Sequence, residues 1–154
     1  MIRKLVTVAL AGAIVAAAAP SFAQQDVIEL LRSDIQTQKK AIITQAMSMT
    51  DSESEAFWPI YNDYQNELRK VGDERVALIK QYAENYDTMS DEMATDLTKR
   101  ALKTQEDRLK LYRKYSAKMS KALGPKMAAR WLQTEHAINT LIDVQVASEL
   151  PLMK

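Results

Sequence analysis

Met49-Thr50-Asp51-Ser52-Glu53 opens the stretch that decides the fold, 49–87, which continues through Phe57, Trp58, Pro59, Ile60, Tyr61 and Tyr64 to Tyr82 and Tyr86. Thr50 followed three residues later by Glu53 is the spacing of a capping box, in which the hydroxyl accepts from the amide of residue 53 and the carboxylate accepts from the amide of Thr50. A helix therefore starts at a fixed point. At 100° per residue from Phe57, the side chains of Ile60, Tyr61, Tyr64, Leu68, Val71, Leu78, Ile79, Tyr82 and Tyr86 fall within about 60° of one line. One apolar stripe runs the length of this helix, and the rest of the chain is expected to pack on it. Pro59 lies beyond the first turn, where its missing amide should bend the axis. Trp58 sits about 100° off the stripe, which gives it either a core position or a second contact face. Arg75 falls on the stripe itself, and an inward arginine needs a carboxylate or a wet groove.

Working outward, Ser90 is placed to cap a helix that carries Asp91 and Glu92 in its first turn and runs to about Leu123. Ala94, Leu97, Ala101, Tyr112, Tyr115 and Met119 share one face of it, and Lys99, Lys103, Lys110, Lys114 and Lys121 the opposite one. Leu102, Leu109 and Leu111 lie on the flanks. Arg108 points inward, as Arg75 does. Gly124-Pro125 ends that helix and starts another, since glycine suits the left-handed residue past a helix end and proline the first turn of the next. The fourth helix carries Met127, Ala128, Trp131, Leu132, Ile138, Leu141, Ile142 and Val146 and stops near Leu150-Pro151.

Before the deciding stretch, 25–47 reads as a helix with Val27, Ile28, Leu31, Ile35, Ile42 and Ala46 as apolar positions. Its polar middle, 32–40, interrupts the stripe, so this helix is expected to be partly detached or to swap onto a second subunit. Still earlier, Arg3 and Lys4 precede an apolar run over 5–19 that ends in small residues, Ser21 and Ala23. That is the pattern of a secretory signal peptide, 1–23, cleaved after Ala23, and it places the mature domain, 24–154, in the periplasm.

The composition agrees with an all-α class: 3 glycines, 4 prolines and no cysteine. Without cysteine, an exported chain has no disulfide framework, thiol redox chemistry or thiolate metal site. The charge is nearly balanced overall, at +1. It is not balanced locally. Residues 50–98 hold twelve acidic and four basic side chains, and 99–130 two acidic and eleven basic. An acidic and a basic helix lying antiparallel account for this split. So does an open basic surface that attracts acidic or unfolded partners or an anionic membrane. The fold expected is therefore all-α, a long antiparallel helical hairpin of about four helices, elongated or cradle-like.

The chemistry-bearing inventory is thin. His136 is the only histidine, and no nucleophile set assembles around it. Glu135 and His136 are neighbours that diverge by about 100° on a helix and make a poor chelating pair. Scattered methionines suit gap-filling better than Cu(I). Neither a phosphate loop nor an aromatic platform for nucleic acid is present. The expectation is a non-enzymatic protein that uses no cofactor or metal and does not bind nucleic acid.

Met49-Thr50-Asp51-Ser52-Glu53 resembles the Leu-Thr-x-x-Gln motif of the Spy/CpxP family of small exported helical proteins, with Thr50 in place, Met49 for leucine and Glu53 for glutamine. Where that family carries a second copy, this chain has Leu123-Gly124-Pro125-Lys126-Met127, in which Leu123 alone agrees. The stretch Phe57-Trp58-Pro59-Ile60-Tyr61-Asn62-Asp63-Tyr64 is similar to the opening helix of exported sensors that act beside sigma factors. The resemblance implies a homodimer in envelope stress, with a cradle that holds unfolded client proteins without ATP or docks on the sensor domain of a signalling kinase. Relatives that sense metals use histidines that this chain lacks. Independently of the resemblance, a basic face with apolar flanks is what holding requires: charge attracts the client and apolar contact retains it. Lys99, Lys103, Lys110 and Lys114 are the residues expected to attract, and Leu102, Leu109 and Trp58 the expected apolar contacts, with core packing as the other role open to those three. An anionic membrane surface is the alternative partner, because interfacial helices share the pattern. A single dedicated protein partner is a further one.

Overall fold

A computed structural model of the chain describes residues 37–153. The stretch 1–23, expected to be a signal peptide, and the apolar positions Val27, Ile28, Leu31 and Ile35 lie outside the described residues. The described part is all-α. Helix α1 covers 37–47, α2 Asp51–Glu84, α3 Asp91–Leu123 and α4 Pro125–Glu149, with one 3-10 turn at Tyr86–Thr88.

The helix boundaries follow from local chemistry. At Thr50 both halves of the capping box form: the Glu53 amide donates to the Thr50 hydroxyl at 3.3 Å, and the Thr50 amide donates to Glu53 Oε2 at 2.8 Å. Those bonds hold the Glu53 carboxyl below its ordinary value, through the Thr50 amide first and the hydroxyl second. Helix α2 then runs uninterrupted through Pro59, which is exposed, so water can satisfy the carbonyl that proline leaves without a donor. Ser90 caps α3 by accepting from the Met93 amide at 3.2 Å. Gly124, at φ 87°, separates α3 from α4, and Pro125 opens α4.

Three long helices make an up-down-up arrangement. Helix α3 meets α2 in antiparallel register, with Arg100 beside Glu74 and Lys114 beside Glu67. It meets α4 antiparallel too, with Arg108 against Asp143 and Tyr112 against Asn139. Helices α2 and α4 are consequently parallel, and Tyr64 reaches Trp131 just as Arg75, further along, reaches Asp143. At 34 residues, α2 is about 50 Å long.

The core gathers at one end of these rods. Ile43 and Met47 of α1, Phe57, Tyr61 and Tyr64 of α2, Leu111, Tyr115 and Met119 of α3, and Ala128, Trp131 and Ile138 of α4 form one cluster. Tyr64 is its hub, with ring centroids 5.1 Å from Trp131, 5.4 Å from Tyr115 and 6.1 Å from Tyr61. Edge-to-face contacts such as the Tyr64–Trp131 pair, at an interplanar angle of 89°, contribute beyond simple area burial. Leu78 and Leu97 are buried outside this cluster, toward the far end.

Candidate functional site

Two arrangements stand out: a charged and apolar outer face on α3, and a polar cluster inside the core. Along α3, Leu102 is 60% exposed and Leu109 49%. They lie seven residues apart, on one side of the helix. Lys99, Lys103 and Lys110 are exposed around them. Lys99 has no carboxylate partner among the described residues, whereas Lys103 and Lys110 both donate to Asp107, at 2.5 and 2.9 Å. That shared carboxylate is held below its ordinary value by Lys103 first and Lys110 second, and Lys103 is pushed up in return. The pairs are exposed i,i+3 and i,i+4 contacts, which contribute little to stability but trim the outward field.

The remaining residues expected to bind are engaged elsewhere. Lys114 crosses to α2 and donates to both oxygens of Glu67, at 2.6 and 2.8 Å. Tyr115 donates to the same carboxylate at 2.8 Å. Lys114 first, then Tyr115, keep Glu67 ionised below its usual range. Trp58 is half-buried against the core, edge-on to Phe57 and Tyr61, with the Lys40 ammonium 5.1 Å above its ring. Its second contact face therefore meets α1. Leu123 packs against the core next to the Gly124 corner, and Met49 does so from the α1–α2 connection. The split of charge between 50–98 and 99–130 is thus spent in part on pairing α2 with α3, through Lys114–Glu67 and Arg100–Glu74.

The inward arginines both find a carboxylate, and it is the same one. Arg75 of α2 pairs with Asp143 Oδ1, and Arg108 of α3 pairs with Asp143 Oδ2 at 2.8 Å. One aspartate on α4 thereby ties all three rods at a point where each side chain stays between a fifth and a third exposed.

Sequence reasoning missed the cluster around Glu135. This carboxylate is fully buried and accepts three bonds at Oε1: from Lys39 Nζ at 2.6 Å, Tyr64 Oη at 3.0 Å and Asn139 Nδ2 at 3.0 Å. Asn139 also donates to Tyr112 Oη at 2.9 Å, which carries the network to α3. Glu135 Oε2 and the Tyr61 hydroxyl make no hydrogen bond among the described residues. Burial first, then the charge of Glu135, drives the Tyr61 and Tyr64 hydroxyls far above the ordinary phenol value of 10.0. In the sequence, Lys39 belongs to the polar interruption 32–40. In the structure it is 5% exposed, in line with fully buried Ile43 and Met47 at four-residue spacing. Ile42, expected inside, is 45% exposed. The inward line of α1 is rotated by one residue because the ammonium has a buried partner. The signal was present in α4, where Glu135 falls between Trp131 and Ile138 on the core-facing line, the same criterion that exposes Arg75 and Arg108.

No family model, curated protein or solved structure matches this chain. Among the described residues, no group of three or more His, Cys, Asp or Glu side chains could hold a metal ion, and no helix is long and apolar enough to cross a membrane.

Proposed function

We propose that this chain is an exported, ATP-independent holding protein of the periplasm that binds unfolded or partner proteins on the outer face of α3. The observation that carries the reading is the exposure of Leu102 and Leu109, one above the other, within a frame of lysines. Large aliphatic side chains on a solvent face offer retention, and the lysines offer attraction at longer range. Because Asp107 draws on both Lys103 and Lys110, the face is less positive than the sequence tally implies. A weakly positive, apolar strip suits segments of unfolded protein better than it suits an anionic bilayer, where binding grows with each free basic residue.

The test is suppression of aggregation of several unrelated unfolded proteins in lipid-free buffer. The double substitution Leu102→Ser and Leu109→Ser should abolish suppression at unchanged helicity, and Lys99→Glu should weaken it mainly at low salt. Full suppression by the double variant would sink this reading. Salt-sensitive co-sedimentation with anionic vesicles, without any suppression, would favour a membrane role instead.

A further inference from the structure

Helix α1 is held by contacts that a second copy of the chain supplies equally well, and its connection to α2 is strained. Ser48, Met49 and Thr50 are the whole connection. Ser48 has φ 47°, in the left-handed region, where a side chain crowds the backbone. The capping box that starts α2 uses only Thr50 and Glu53, so α2 begins at the same residue wherever α1 lies. The joint can open without unwinding either helix.

Departure of α1 without a replacement is a different matter. Lys39 is the only cation paired with Glu135 among the described residues, and loss of one partner strands a buried charge. Ile43 and Met47 would leave a hole against the aromatic core. Arg130 would lose the Met47 carbonyl, to which it donates at 3.2 Å. Whatever refills the site must bring an ammonium and two apolar side chains at positions i, i+4 and i+8 of a helix, with a carbonyl at its end. Another α1 brings all four.

We propose that two copies exchange α1, so that Lys39 of each docks on Glu135 of the other. The docked contacts of 37–47 are the same in the closed monomer and the exchanged dimer. The difference lies at Ser48, which must keep its left-handed conformation when the chain closes on itself and is free to relax when it reaches across. The exchange is independent of what α3 binds.

Mixing decides it. Lys39→Met and Glu135→Gln each leave one buried charge unpaired, so each protein alone should melt well below the wild type. Refolded together, they should form a one-to-one heterodimer with one native Lys39–Glu135 pair and one neutral pair, sedimenting as a dimer and melting above either parent. A mixture that sediments and melts as the sum of its parents overturns the proposal. Should a single variant not fold, the joint supplies the second measurement. Ser48→Val, which resists positive φ, should tighten the dimer about tenfold, and Ser48→Gly, which accepts it, should loosen the dimer by a similar factor. A Ser48→Val protein that stays monomeric, with the amides of 37–47 open to hydrogen exchange, overturns it equally.

Discussion

The two ends of the rods are built on different principles. Near Tyr64, four helices converge on interlocked aromatic rings, and even the charged pair there is dry. Toward Leu78 and Leu97, three helices are joined by water-accessible ion pairs: Arg75 and Arg108 on Asp143, and Arg100 on Glu74. Apolar burial is strong and is not screened by salt, whereas exposed ion pairs are weak, directional and screened. The aromatic end thus sets stability. The ionic end sets alignment, keeping α2, α3 and α4 in register where little apolar contact does so.

Alkali should break the comparison most completely. Burial holds Tyr61, Tyr64 and Tyr115 protonated far above 10.0. A group whose folded value is raised stabilises fully below its unfolded value and loses that contribution as pH rises. The phenolate absorbance of these three rings should therefore appear in one cooperative step with loss of helicity above pH about 10. Gradual ionisation of those three rings in a folded protein would contradict the burial. Next in size, Trp131→Ala should cost about 3–5 kcal/mol in denaturant unfolding, from the cavity it leaves in the aromatic cluster. Leu78→Ala, in the thinner far end, should fall near 2 kcal/mol, the low side of its range, because neighbours can collapse into the space. Equal losses would mean that the two ends are packed alike.

Smaller effects sharpen the contrast. Thr50→Ala should cost about 1 kcal/mol by removing the cap of α2. The Glu53 carboxyl in the same box has a lowered value, so its share is present above its ordinary 4.5 and disappears as pH falls through the lower folded value. The acid limb of the pH–stability curve should consequently flatten in the Thr50→Ala protein. Asp143→Asn should cost least, below about 1 kcal/mol because its partners are partly solvated, and the cost should shrink further in 1 M salt. Hydrogen exchange in that variant should speed up at the far end and stay unchanged around Tyr64.

Much of the architecture was legible in the sequence because its signals are local. Thr50 with Glu53, Ser90, and Gly124 with Pro125 each act on a backbone within four residues, and each boundary falls where those residues put it. Arg75 and Arg108 were legible as inward charges from helical angle alone, but their shared partner was not, because 68 residues separate Arg75 from Asp143. Lys39 and Glu135 show the limit more sharply. Read by itself, Lys39 sits in a polar run that interrupts the apolar line of α1; only a carboxylate 96 residues away turns that position inward. Leu111 lies on a flank of α3 by helical angle and is buried, whereas Ala101 lies on the apolar line and is exposed. The reason is that α2 and α4 cover α3 from two sides near Leu111 and leave it more open around Ala101. On the outer face, the exposure of Leu102 and Leu109 follows from their flank positions, but the tethering of Lys103 and Lys110 to Asp107 depends on rotamers that spacing alone leaves free.

The corner at Gly124 has a mechanical consequence of its own. Its amide donates back to Ser120 at 3.0 Å and its carbonyl accepts from Ala128 at 3.1 Å, so both flanking helices are geared to a single residue. A side chain built there would meet nothing within 4 Å, so the cost of replacing the glycine is backbone strain, at φ 87° and ψ 161°, a conformation essentially open to glycine alone. An extra residue is another matter, because it would turn α4 by about 100° about its own axis and swing Trp131 and Glu135 out toward water. This corner is therefore sensitive to backbone conformation and to residue count, and not to crowding.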